Sequence, residues 1–159
     1  MIAPGKPALR DELLAILQEA LSTAQRSHAA AIDGATNEES RAENEKDTRG
    51  LEQSYLARGQ AKRVAELEAA ISELEAWVVR SFTAHDRIAI SALVTIDEDG
   101  AVQRLFLAPH GGGSVLSGAT HVVSPSSPLG RALLGKRIDD EVELELPGRA
   151  RAFTITSIE

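Results

Sequence analysis

The sequence predicts an α+β chain: an antiparallel helical hairpin over residues 1–80, a short linker over 81–86, and a small antiparallel-sheet domain with one short helix over 87–159. Three observations carry this. Apolar residues fall alternately three and four apart through the first half, that spacing stops near Trp77, and apolar and polar residues alternate in the last third. A chain of 159 residues has room for one ordinary domain or two small ones, which excludes a large multidomain enzyme.

The hairpin comes first. Pro7 suits the first turn of a helix because its fixed φ is already helical. Beyond it, Leu14, Leu17, Leu21, Ala24, His28 and Ala31 form the seam of a coiled coil. Val64, Leu67, Ile71, Leu74 and Val78 repeat the spacing in a second stretch rich in Ala, Glu, Leu and Arg. Each seam can be buried only against a partner, so the two stretches are expected to pack on each other. The polar segment AIDGATNEESRAENEKDTRG between them offers two places for the reversal. Gly34 can end the first helix, with Thr36 and Glu39 as a capping box for the next. Alternatively the first helix continues and the chain reverses nearer Asn44 to Gly50. Either choice gives arms of roughly 30 to 40 residues, about 45 to 60 Å at the helical rise.

After the connector SFTAHD, the runs IAISALVTI from Arg87 and AVQRLFLAP read as strands joined by a hairpin turn at DEDG. Asp97 to Gly100 has the beginning of a calcium loop but lacks the later ligands, so a plain turn is the better reading. HGGGSVLSGAT reads as a flexible loop and THVVS as a short strand. SPLGRALLG is a helical turn or two, opened by Ser127 and Pro128 and closed by Gly135. EVELEL and ARAFTITSI form a final antiparallel pair around Pro147 and Gly148.

Composition narrows the function. Tyr55, Trp77, Phe82, Phe106 and Phe153 are the aromatic residues, too few for a nucleic-acid stacking platform or an aromatic ligand cage. The formal charge of -7 argues against gripping phosphates over the whole surface. Without cysteine there is no disulfide framework, thiolate metal site or Cys nucleophile. The N-terminus lacks a signal-peptide run and no stretch approaches the roughly 18 apolar residues of a membrane span; a cytoplasmic protein is the expectation. His28, His85, His110 and His121 are too scattered for a zinc site. HGGG has no GxSxG elbow to serve, and GGGSVLSG lacks the order of a nucleotide P-loop.

The stretch SPSSPLGRALLGKRIDDEVELELPGRARAFTITSIE carries a family likeness. Ser127, Pro128, Leu129, Ala132, Leu133, Leu134, Gly135 and Lys136, the acidic turn at Asp139 and Asp140, and Pro147 with Gly148 resemble the C-terminal signature of the bacterial transcript cleavage factors GreA and GreB. The related polymerase-binding protein Rnk shares much of it, so the pattern marks the superfamily better than the member. RVAELEAAISELEA is similar to the second Gre helix. The resemblance implies an antiparallel coiled coil followed by an FKBP-like domain. It also implies a factor that docks on RNA polymerase at its secondary channel and meets nucleic acid only within the transcription complex.

In that family, acids at the coiled-coil tip help hold a magnesium ion of the polymerase, whose own active site cleaves backtracked RNA. Oxygen ligands suit Mg²⁺, and a second metal assists both attacking and leaving oxygens. No cofactor of the chain's own is implied. The family's tip has an Asp, two residues, then Glu-Asn. Glu43 and Asn44 match the Glu-Asn, but Ser40 stands where the Asp belongs. Aligned without a gap from RVAELEA, Glu43 takes the first acidic position and Lys46 the second. Both registers lose an acid. Glu38, Glu39, Glu45 and Asp47 are nearby compensators, with Glu39 and Glu43 the candidates to assist cleavage and Glu43 the candidate to share the magnesium.

Asn44, Asp47, Ser127, Pro128, Arg131, Lys136 and Arg137 are the candidate partner-contact residues, while Leu129, Leu133 and Leu134 are expected to be core. The cluster Glu43, Asp47, Arg49, Glu52, Tyr55, Arg58 and Gln60 fits either a partner surface or a solvated helix face. Polymerase binding ranks above cleavage stimulation, and a non-enzymatic factor above an enzyme. The alternatives are an inhibitor that occupies the channel without aiding cleavage and, well below it, an FKBP-like peptidyl-prolyl isomerase. Fold likeness is weak warrant for that last activity, and Phe106 and Phe153 alone do not line an aromatic pocket.

Overall fold

The computed structural model describes residues 2–41 and 48–159, the described side chains excluding those of 35–41, 48, 49 and 53. The chain divides into two compact units, one of residues 14–75 and one that joins residues 1–13 to 76–159. No helix among the described residues is long and apolar enough to cross a membrane.

The first unit is a helical hairpin drawn from helix α1 (Lys6–Arg41) and helix α2 (Thr48–Ala76). Leu17, Ala24 and Ala31 are buried seven residues apart on α1, with Leu21 and His28 half-buried between them. Leu67, Ile71 and Leu74 are their buried counterparts on α2, and Val64 is half-buried. Seven-residue recurrence keeps one stripe of a helix facing its partner. The seam changes character along its length. Leucine and isoleucine fill it near Leu17 and Leu74, whereas Ala24, Ala31, Gly50, Ser54 and Ala57 bring small side chains to it further along. There His28 Nδ1 lies 3.1 Å from the carbonyl oxygen of Ala57.

Of the two expected reversals, the one at Gly34 is not used: α1 runs through Gly34, Thr36 and Glu39 to Arg41, and α2 opens at Thr48. One helical glycine costs about 1 kcal/mol relative to alanine, less than a helix end that leaves carbonyls without partners. At the other end α2 stops at Ala76, so Val78 leaves the seam and is 83% exposed. Trp77 is turned inward instead, donating its indole N–H to Ser91 Oγ at 3.1 Å and setting its ring 5.6 Å from that of Phe106.

The second unit is a six-stranded sheet with one short helix. Its strands are β1 (Leu93–Glu98), β2 (Ala101–Leu107), β3 (Val115–Leu116), β4 (Thr120–Val123), β5 (Glu141–Leu146) and β6 (Arg149–Ile158), with α3 (Pro128–Leu133) between β4 and β5. Their spatial order is β3-β4-β2-β1-β6-β5. The sheet is not wholly antiparallel as the sequence suggested, because β2 and β4 pair in parallel. A parallel pair needs a crossover of about a dozen residues, and the segment from Ala108 to Ala119 supplies it. That segment includes the HGGGSVLSGAT stretch read as a loop, whose Val115 and Leu116 instead pair with β4. The first strand also begins later than Arg87. Ser91 has φ 87°, which breaks the extended run, and Ile88 exchanges hydrogen bonds with Gly135 and Lys136 rather than with a strand.

Both faces of the sheet's centre are covered. Val94, Ile96, Leu105, Leu107, Val142, Leu144, Phe153 and Ile155 form the inner core with Leu133 of α3. Alternation places Leu93, Phe106 and Val122, all buried, on the opposite face. That face receives Trp77 against Phe106, and the first two turns of α1 belong to the same unit. Leu9 and Leu13 are fully buried, each contributing about 1.5 to 3 kcal/mol through burial. The polar tethers beside them are specific. Arg10 Nη1 donates to the Trp77 carbonyl at 3.0 Å, Lys6 Nζ donates to the Arg80 carbonyl, and the Glu12 carboxylate accepts the Ser117 N–H at 2.9 and 3.2 Å. Pro7 lies in the opening turn as expected, the first α-helical bond running from Leu9 N–H to Gly5 O at 3.1 Å.

Helix α3 seats so tightly that a Cβ on Gly130 would lie 1.9 Å from the Ser124 carbonyl oxygen. Gly130→Ala is therefore expected to lower unfolding stability by at least about 2 kcal/mol, measured by urea denaturation, while Gly148→Ala at an open turn costs less. Equal effects of the two substitutions would contradict this packing.

Candidate functional site

The segment from Ser124 to Asp140 holds most of the predicted contact residues, and local chemistry fixes its shape. Ser127 sits in extended conformation before α3. Its hydroxyl accepts the Gly130 N–H at 3.0 Å and donates to the Ser124 carbonyl at 2.7 Å, and Pro128 fills the first helical position. Leu133 is buried and Leu129 and Ala132 pack partly against the core, as expected for two of the leucines. Leu134, also expected in the core, is 36% exposed because α3 ends at Leu133. Gly135 then takes φ 81°, which favours glycine, and its N–H reaches Ile88 O at 2.8 Å. Asp140 Oδ2 accepts the Arg137 N–H at 2.8 Å, closing the acidic turn.

This geometry sorts the candidates. Ser127 is half-buried and spends its hydroxyl on the helix cap, whereas Pro128, Arg131, Lys136 and Arg137 are exposed along one short, firmly anchored segment. The side chain of Glu39, and Glu43, Asn44 and Asp47 entirely, lie outside the described residues.

Beside the N-terminal end of α3 opens a cleft of about 460 Å³. Leu105, Val123 and Leu129 give it apolar walls, and Gln103, His121 and Arg151 give it polar ones. Volumes of this order are usual for ligand and peptide sites. Arg151 is the residue that sequence reading missed. Its Nε lies 3.1 Å from both Glu98 carboxylate oxygens, and its Nη2 is 2.7 Å from Oε2 and 3.4 Å from Gln103 Oε1. The pair is well covered, 15% and 25% exposed for the Arg151 and Glu98 side chains. The hydrogen bond from Arg151 holds the Glu98 carboxyl below its usual range, and the same bond raises the guanidinium. A signal existed: Arg151 occupies the same alternation phase of β6 as the buried Phe153 and Ile155. Its partner lies 53 residues away and is joined only through the β1–β6 pairing.

The remaining motifs are structural. Asp97 Oδ1 accepts the Gly100 N–H at 2.8 Å in a tight turn with φ 53° at Asp99 and 87° at Gly100. In the HGGG loop, a Cβ on Gly111 would meet Leu13 Cδ1 at 2.4 Å, so the glycine makes room for the start of α1. Among the described residues no three His, Asp or Glu side chains are grouped to hold a metal ion.

Comparison with known proteins is decisive for the second unit. Residues 83–159 match the family model described as transcription elongation factor GreA/GreB, C-terminal. This C-terminal stretch is similar to the GreA/GreB family. The Gre likeness read from Ser127 to Lys136 therefore holds. Among relatives, transcription elongation factor GreA of Sphingopyxis alaskensis is 35% identical over 105 residues, covering 62% of this chain and 65% of the relative. GreA of Brucella canis is 35% identical over 98 residues, covering 60% of each. The chain thus spans somewhat under two thirds of the length of these Gre relatives. Among solved structures, the GreA factor homolog Gfh1 of Thermus thermophilus is 20% identical over 92% of this chain and 94% of its own, with TM-score 0.41. GreA/GreB from Nitrosomonas europaea is 21% identical over 58% and 78%, with TM-score 0.38.

The Glu98–Arg151 pair makes stability pH-dependent. A depressed carboxyl contributes stability that is present above the unfolded value of about 4.3 and is lost as pH falls through the folded one. Urea unfolding should therefore show wild type more stable than Glu98→Gln at pH 7, with the gap closing below about pH 4. A gap that persists unchanged at pH 3 would show that the charge of Glu98 is not what matters.

Proposed function

We propose that the chain is a Gre-like transcription elongation regulator that binds bacterial RNA polymerase at its secondary channel, acting in the cytoplasm and not itself an enzyme. The family match over residues 83–159 carries this reading. The exposed Pro128, Arg131, Lys136 and Arg137, on a segment fixed by the Ser127 cap and the strap to Ile88, supply a docking edge. The apolar cleft beside it takes an aliphatic side chain of the partner. Within this reading the sheet and α3 form an FKBP-like domain used for docking, and the hairpin is the coiled coil that enters the channel.

Within this reading Glu43 and Glu39, with Asn44 and Asp47, would serve the polymerase's reaction. Carboxylate oxygens suit Mg²⁺, so Glu43 would help hold the ion that belongs to the polymerase. That ion would supply Lewis acidity at the scissile phosphate, and the carboxylates of Glu43 and Glu39 would add negative charge and hydrogen-bond acceptors for a water. Ser40 in the place of one acid favours, as the second reading, a factor that occupies the channel without promoting cleavage.

Purified protein added to a stalled, backtracked elongation complex is expected to bind and to shorten the RNA, with shortening lost in Glu43→Ala. Arg131→Glu with Lys136→Glu should weaken binding about tenfold or more, because each reverses a docking charge. Binding without shortening would select the non-cleaving reading. Absence of binding would overturn the polymerase assignment.

A further inference from the structure

A second cavity of about 460 Å³ lies within the sheet unit, away from the cleft, between the N-terminal residues Pro4 to Lys6 and the sheet residues Leu93, Arg104 and Glu159. We propose that this cavity binds the phosphoanhydride group of a nucleoside di- or triphosphate, with Arg104 and Lys6 as its anchors. The proposal goes beyond polymerase docking and does not depend on it.

Arg104 is held in place for such a role. It stands on β2, on the face opposite the inner core, and its Nη1 lies 3.3 Å from the hydroxyl of the fully buried Thr120. That hydroxyl in turn donates to Ser117 O at 3.0 Å. A Cβ on Gly118 would come within 2.9 Å of Arg104 Nη1, and Gly118 has φ 69°, so a glycine clears the guanidinium's place. Lys6 is half-buried, its Nζ bonded to the Arg80 carbonyl and 4.8 Å from the centre of the Phe82 ring. Arg80 lies 4.6 Å from the same ring. None of Lys6, Arg80 and Arg104 forms an ion pair with a carboxylate among the described residues.

In a chain of net charge -7, Lys6 and Arg104 on the wall of one cavity, with Arg80 sharing the Phe82 ring with Lys6, form a marked local exception. Burial holds the Lys6 amine below its usual range, with Arg80 adding to the effect and Glu159 opposing it. A bound polyanion would relieve that cost. A planar guanidinium fork and a flexible ammonium together match phosphate oxygens. The space exceeds what one phosphate fills, and Pro4, Ile2 and Leu93 line the remainder for an organic moiety. Glu159 on the rim is the internal competitor.

Calorimetric titration of the full chain with ADP, and separately with inorganic pyrophosphate, at low ionic strength tests this. One molecule of ADP per chain should bind. Arg104→Gln and Lys6→Met should each weaken it by about tenfold or more, and Glu159→Gln should tighten it severalfold. Lys6→Met keeps the apolar stem on Phe82 and so separates charge from folding, which circular dichroism checks. Pyrophosphate binding as tightly as ADP would overturn the nucleoside part of the assignment, and weaker binding would support it. No binding of either probe, or affinity unchanged in both Arg104→Gln and Lys6→Met, would overturn the site.

Discussion

The sheet unit depends on covering a second face. Its inner face closes on α3, but Leu93, Phe106 and Val122 lie on the other side and are also buried. Trp77 meets Phe106 there, and its indole N–H is satisfied by Ser91. The N-terminal residues up to Leu13 belong to this unit, bound by Arg10, Lys6 and Glu12 to segments of the chain some 67 to 105 positions away. A sheet open on that side would expose aromatic and aliphatic surface of the kind that drives association. Helix α1 thus contributes to both units: its first turns to the sheet unit, and the rest to the hairpin seam.

The same economy shapes the segment around α3. A six-residue helix has almost no intrinsic stability, so α3 holds its form through Ser127, Pro128, Gly130 against Ser124 O, and the exchange with Ile88. Those residues leave Arg131, Lys136 and Arg137 exposed to solvent. Glu98 and Arg151 do comparable work in the cleft, where a covered guanidinium needs a carboxylate to keep it satisfied. The surface of this domain is therefore held fixed by its caps, straps and covered ion pair.

Much of this was legible in residue order. The seven-residue recurrence of Leu17, Ala24 and Ala31, the Ser127–Pro128 helix opening, and the alternation of EVELEL and ARAFTITSI each follow from local periodicity. What escaped depends on distant partners. Val78 keeps the helical spacing, yet Trp77 leaves the helix to find Ser91 and Phe106. The β2–β4 pair is parallel because of where the crossover returns, which alternation does not encode. Arg151 looks like any exposed arginine until β6 is placed beside β1. The choice between reversal at Gly34 and reversal further on turned on helix continuity, a balance of about 1 kcal/mol per glycine that pattern reading cannot weigh.

Residues 1–13 are, on this account, a structural part of the sheet unit. Trp77 is the chain's single tryptophan and sits at the covered face, so its fluorescence reports that cover directly. Urea unfolding of residues 76–159 alone should show a solvent-exposed Trp77 and reduced stability, and a peptide of residues 1–13 added in trans should restore both, while the same peptide with Leu9→Ala and Leu13→Ala should not. A fragment of residues 76–159 that shields Trp77 and unfolds like the full chain without the peptide would contradict the account.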